Sequence, residues 1–178
     1  MNHDLLLEKS TAVIDYCRKG VIHLSTMESC TGGGIAHWLT NVSGASDVVK
    51  GCCVTYSNQA KIEQGVPKKI IEKYTVYSPN VAREMALRAY FNPSSQIPMV
   101  GIGITGSLGR VDLANKKNSI PGTAHINFYN GMWFDPHTIV TPEEDRILGK
   151  EDYILQTLDH LLSYLPEAWS WHRSTTLQ

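Results

Sequence analysis

The stretch "STMESCTGGGIAHWL", residues 25–39, joins the end of a β-prone run to the start of an amphipathic one through a threonine and three glycines. Upstream, "VIHLSTM" has the composition of a short strand. Thr31 to Gly34 break that pattern, and Ile35, Ala36, Trp38 and Leu39 resume with helical period. The segment therefore reads as strand, tight turn, helix. A serine in such a turn sits where free backbone N–H groups of the next helix can meet negative charge. Ser29 is thus a candidate nucleophile. Cys30, Thr31, Gly32 and Gly33 are candidate substrate contacts, because glycine lets a ligand come close to the backbone. The same turn also serves as a phosphate cradle or as a plain strand-to-helix connection elsewhere.

Elements on either side extend this unit into a layered α/β domain. Leu5, Leu6, Leu7, Val13, Ile14 and Cys17 recur at helical spacing, and Gly20 closes that helix. "GCCVTYS" from Gly51 is a second strand, with Ser57 or Asn58 capping a short helix over "NQAKIEQG". Ser78 and Pro79 open a further helix through "SPNVAREMALRAYF". "MVGIGITG", apolar on both faces and carrying glycines where something packs closely, is a central strand, and the polar loop "SLGRVDLANKKNS" follows it. Asn130-Gly131 favours a hairpin turn between "GTAHINFY" and "MWFDPHTIV". From Glu143 to Leu165 the apolar spacing gives a closing helix, with a frayed tail after Pro166. The expected fold is three-layer α/β/α around one mixed, mainly parallel sheet that ends in an antiparallel hairpin. One domain occupies residues 1–168, with residues 169–178 as the tail.

Composition narrows the function. The 178 residues are 42% hydrophobic with a formal net charge of −1, which fits one globular domain. No basic face suits direct nucleic-acid binding. No apolar stretch is long enough to span a bilayer, and the N-terminus lacks the character of a secretory signal, so the expected setting is cytoplasmic. Cys17, Cys30, Cys52 and Cys53 show no C-x-x-C spacing and are expected as reduced, mostly buried thiols.

Ser29 needs a base. His23, His37, His125, His137 and His160 are scattered, and none falls in a triad context. Lysine is the other known partner when its amine is held neutral by partial burial. "TYSNQAK" offers Tyr56 and Lys61, placed so that both can point over one sheet edge with the tyrosine hydroxyl relaying a proton between lysine and Ser29.

"ESCTGG" from Glu28, "VTYSNQAK" from Val54, "VAREMA" from Val81, "GITG" from Gly103 and "PGT" from Pro121 stand in the order and approximate spacing of the CinA C-terminal domain family, which this chain resembles from about residue 5 to residue 165. That family includes nicotinamide mononucleotide amidases. The resemblance implies Ser29, Tyr56 and Lys61 as the catalytic set. It implies hydrolysis of the nucleotide's carboxamide to nicotinic acid mononucleotide and ammonia, in pyridine-nucleotide salvage, without metal or organic cofactor. Thr105, Gly106 and Arg146 are candidates for the phosphate, Arg146 by its match to a "DRE"-like motif whose last residue is here Ile147.

The chain departs from the family after "TG", where a glycine- and proline-rich loop is usual and "SLGRVDLANKKNSIPGT" stands instead. Arg110, Lys116 and Lys117 are possible replacement charges there. Many members carry a further N-terminal domain, and this chain resembles the stand-alone form. Family members commonly assemble, and Trp133 and Phe134 on a late strand also suggest a homo-oligomer. A catalytically silent nucleotide-binding or protein-interaction module, and an amidase for another small amide, are the alternative functions.

Overall fold

The computed structural model describes residues 3–91 and 99–176. Five strands form one sheet in the order β2-β1-β3-β4-β5. In chain order the elements are α1 (His3–Gly20), β1 (His23–Glu28), α2 (Gly34–Thr40), β2 (Val49–Val54), α3 (Asn58–Glu63), α4 (Lys68–Tyr74), α5 (Pro79–Tyr90), β3 (Met99–Ser107), β4 (Thr123–Tyr129), β5 (Phe134–Val140) and α6 (Arg146–Thr176). A short 3-10 turn, Ala45–Asp47, precedes β2. β1 runs parallel to both β2 and β3, whereas β4 and β5 are antiparallel additions. The mixed α/β sheet with helices on both faces is the architecture expected from the sequence.

The two-residue period of β3 explains how the layers meet. Val100, Ile102 and Ile104 are fully buried and join the core built from α1, α2 and α6. Gly101 and Gly103 alternate with them and face α5. A Cβ at Gly103 would lie 2.3 Å from the Ala82 carbonyl oxygen and the Ala86 nitrogen, so the helix backbone rests directly on the strand. On that face a second core gathers Met27, Val66, Ile71, Val76, Val81, Met85 and Ala89.

α5 begins as its sequence indicates, with the Ser78 hydroxyl accepting from the Val81 N–H and Pro79 in the first turn. α3 is likewise capped by Ser57, which accepts from the Ala60 N–H at 3.0 Å. Two elements differ from the sequence reading. α4, which the apolar spacing did not announce, is a seven-residue helix entered from Pro67 and held by the buried Ile71. The tail expected to fray is helical through Pro166 as far as Thr176, and residues 177 and 178 lie outside the described residues. Proline forfeits one helical hydrogen bond. Buried Leu165 and Ala168, with Trp169 packed on the same core, hold the helix through it. All four cysteines are free, and Cys52 is exposed rather than buried. No described helix is long and apolar enough to cross a membrane.

β1 lies at the point where the chain order of the parallel strands reverses. From it the chain steps to β2 on one side and returns to β3 on the other. Loops leaving the carboxyl ends of such strands diverge and open a crevice between them. Ser29, Thr55–Tyr56 and the segment after Thr105 stand at those three ends.

Candidate active site

The Ser29 turn is fixed from below. The Ser29 N–H donates to the Ile104 carbonyl at 3.1 Å, and the Gly32 N–H closes the turn onto the Ser29 carbonyl at 3.0 Å. Gly32 and Gly33 take φ values of 65° and 90°, the left-handed region that glycine enters without penalty. Glu28, buried at the end of β1, completes the support. Its carboxylate accepts from the Ile35 and Ala36 N–H groups at 3.1 and 2.9 Å and from the Thr31 hydroxyl at 2.7 Å. The orphan donors of α2 are therefore met by Glu28 and not by a ligand.

That arrangement corrects part of the sequence reading. Thr31 is buried on Glu28, Gly32 is committed to the turn, and Gly33 sets the entry of α2; none of the three lines the cavity above Ser29. Ser29 and Cys30 do line it. Burial pushes the Cys30 thiol up to about 12, which leaves it protonated and a poor nucleophile at neutral pH.

Lys61 is brought to the serine by α3. Its side chain is 2% exposed, and its Nζ lies 2.9 Å from Ser29 Oγ and 2.6 Å from the Thr55 carbonyl oxygen. Burial lowers its pKa from 10.5 to about 8. Among the described residues no carboxylate contacts the ammonium to offset that cost. The result is an amine that carries a substantial neutral fraction near physiological pH, in contact with a hydroxyl.

Tyr56 is placed differently from the expected relay. It is 59% exposed, and its hydroxyl accepts from the Arg146 guanidinium. Lys61 reaches Ser29 directly, so proton transfer between them needs no intermediary. Tyr56 and Arg146 instead form one rim of the cavity, with Arg146 in the first turn of α6. Thr105 and Gly106 also line it. The Thr105 hydroxyl, however, donates to the Val76 carbonyl at 2.9 Å, and Gly106 is required by the close approach of β4, where a Cβ would meet Ala124 at 2.5 Å.

The cavity measures about 780 Å³ and is roofed by the loop after β3. Arg110, Val111, Asp112, Leu113, Ala114 and Asn115 face it, whereas Lys116 and Lys117 do not. The loop is an ordered turn built on Asp112. This carboxylate accepts from the Ala114 N–H at 2.9 Å, the Asn115 side chain at 2.8 Å and the Tyr77 hydroxyl at 2.7 Å. Asn58 at the start of α3 donates to Asn115 at 3.0 Å, so the roof is fastened to both α3 and the segment before α5. The sequence does not mark Tyr77, Asp112 or Asn115 as site residues, and it offers Asn58 only as a helix cap. The one local signal is the position of Tyr77 directly before the Ser78-Pro79 helix start. Among the described residues no cluster of histidine, cysteine and carboxylate side chains is placed to hold a metal ion.

Comparison with known proteins identifies the family and the fold. The model of the CinA C-terminal domain matches residues 7–165. A CinA-like protein of Dictyoglomus thermophilum is 41% identical over 98 residues, 54% of this chain and 24% of that protein. A putative competence-damage inducible protein of Clostridium beijerinckii is 44% identical over 87 residues, 48% of this chain and 21% of its own length. The aligned segments thus span about a quarter or less of these relatives. Among solved structures, the competence/damage inducible protein CihA of Agrobacterium tumefaciens superposes with a TM-score of 0.77 at 26% identity, covering 89% of this chain and 94% of that one. A CinA superfamily protein of Klebsiella pneumoniae gives 0.81 at 19% identity over 91% and 98%, a likeness of fold. The match over residues 7–165 places this chain in the CinA C-terminal domain family.

Proposed function

We propose that the chain is a serine amidohydrolase that converts nicotinamide mononucleotide to nicotinic acid mononucleotide and ammonia. The observation that carries this reading is the 2.9 Å contact between the buried Lys61 amine and Ser29 Oγ at the floor of an open cavity. Neutral Lys61 accepts the hydroxyl proton as Ser29 attacks the amide carbon. The Cys30 N–H, in the turn beside Ser29, is the donor for the oxyanion in this reading. Collapse of the tetrahedral intermediate breaks the C–N bond, and the Lys61 ammonium gives its proton to the departing nitrogen, which leaves as ammonia. Water then attacks the acyl-serine ester, giving its proton to Lys61. Collapse of the second intermediate breaks the Ser29 Oγ–acyl bond, Lys61 returns the proton to Oγ, and release of the acid restores the site. Thr55, whose carbonyl accepts from Lys61 at 2.6 Å, holds the amine in place through the cycle.

Arg146 and Arg110 are the cavity cations available for a phosphate, and Tyr56 offers an aromatic wall beside Arg146. A panel of nicotinamide mononucleotide, nicotinamide riboside and free nicotinamide, followed by ammonia release, tests the assignment. The nucleotide is expected to have the highest kcat/KM. Preferred hydrolysis of free nicotinamide would refute the nucleotide as substrate, and no release from any of them would refute the amidase reading.

A further inference from the structure

Asp112 is the one carboxylate among the residues lining the cavity, against three bases, Lys61, Arg110 and Arg146. A pocket built only to hold an anion gains nothing from an acid in its wall, because the acid repels the ligand that the arginines attract. Yet Asp112 is held in place by three donors, the Tyr77 hydroxyl, the Asn115 side chain and the Ala114 N–H. All three are neutral. Among the described residues no cation lies within ion-pair distance of this carboxylate, so its negative charge is fixed in position and uncompensated. The hydrogen bonds also keep it ionised, since they lower its pKa below the usual aspartate value.

We propose that Asp112 determines charge selectivity, favouring an amide borne on a cationic ring over the same amide on a neutral one. The occupant implied by the wall is a zwitterion, with its anionic group toward the arginines and its positive ring toward Asp112. This inference rests on the amidase reading for the amide and adds the charge of the ring that carries it. Asp112 acts on binding and positioning, at a distance from the reacting atoms. It belongs to the loop after β3, so the selectivity is a property of this loop.

Two ligands of one shape separate charge from packing: nicotinamide mononucleotide, whose ring nitrogen is cationic, and the benzamide C-nucleotide with carbon in that place, which is neutral. Calorimetry on the Ser29→Ala protein reads both affinities without turnover. Asp112→Asn, which keeps the shape and an acceptor, is expected to reduce the preference for the cationic nucleotide about fivefold, the worth of one partly exposed charge pair. Asp112→Glu should restore most of the preference. Asn58→Ala, which releases the same loop from α3 without removing a donor to Asp112, should weaken both ligands alike and leave the preference in place. A preference unchanged in Asp112→Asn, or failure of the cationic nucleotide to bind, overturns the proposal. The amidase reading fails separately, through absent ammonia release by the unsubstituted protein, whatever the affinity ratio shows.

Discussion

Lys61 is worth keeping buried only if its neutral form is used. Transfer of an ammonium from water into a nearly closed site costs free energy, and the depressed pKa, about 8 against 10.5, is that cost expressed as a proton equilibrium. Below pH 8 the amine is mostly protonated and cannot accept the Ser29 proton; above it the base is available. We therefore expect kcat/KM to rise with pH and level off above about 8, in a profile that follows one ionisation. Lys61→Ala should lower kcat about 10³-fold. Lys61→Arg should be as inactive, because a guanidinium does not deprotonate in this range. A profile flat from pH 6 to 9 would remove Lys61 from the role of base. Ser29 and Lys61 were legible in the sequence because each lies within a few residues of a strand end in a specific motif. The reach of Tyr56 was not legible. It depends on where α6, ninety positions away, presents Arg146, and that residue takes the hydroxyl expected near the lysine.

Among elements, the β1–α2 turn depends on Glu28. Its buried carboxylate holds two amides of α2 and the Thr26 and Thr31 hydroxyls, so Glu28→Ala would leave four donors without their acceptor. We expect a loss of about 3 kcal/mol, with a melting temperature lower by roughly 10 °C, and a reduced kcat because the Ser29 turn is no longer held. Thermal denaturation and ammonia release measured on one sample check both effects; an unchanged melting temperature would contradict this role. Nothing in local sequence identified it. Glu28 lies seven and eight positions before the amides that it caps, outside the three-residue spacing of a capping box. Helices with their own start signals, such as α5, were legible to the residue. α4 was not, because its stability comes from Ile71 packing beside Val66 and Val76 against Met27 and Met85, contacts that only the folded sheet supplies.

Across the molecule, the crevice where parallel strands diverge places motifs from three strand ends at one site, and the loop after β3 closes it. The overall arrangement was legible because strand and helix periods alternate along most of the chain. The roof was not, since its order arises from side-chain hydrogen bonds to Tyr77 and Asn58, far off in sequence. This separates charges that looked equivalent: Arg110 lines the cavity, and Lys116 and Lys117 are exposed outside it. Arg110→Ala is expected to weaken nicotinamide mononucleotide about tenfold while changing the phosphate-free riboside little. Replacing both lysines should alter neither, and calorimetry that showed the lysines to matter more would contradict this placement. Trp133 and Phe134, which suggested assembly, are engaged within the chain. Trp133 packs against Tyr164, while Phe134 stacks on Tyr129 beneath the Arg83 guanidinium.

The central claim is that Ser29, and not the adjacent Cys30, carries the acyl group. Intact-protein mass spectrometry on samples quenched during turnover of nicotinamide mononucleotide, with ammonia release followed in parallel, tests it most directly. The account requires an acyl adduct mapped to Ser29, with adduct and ammonia both lost in Ser29→Ala and both retained in Cys30→Ala. Undiminished ammonia release by Ser29→Ala, or an adduct on Cys30, would contradict it.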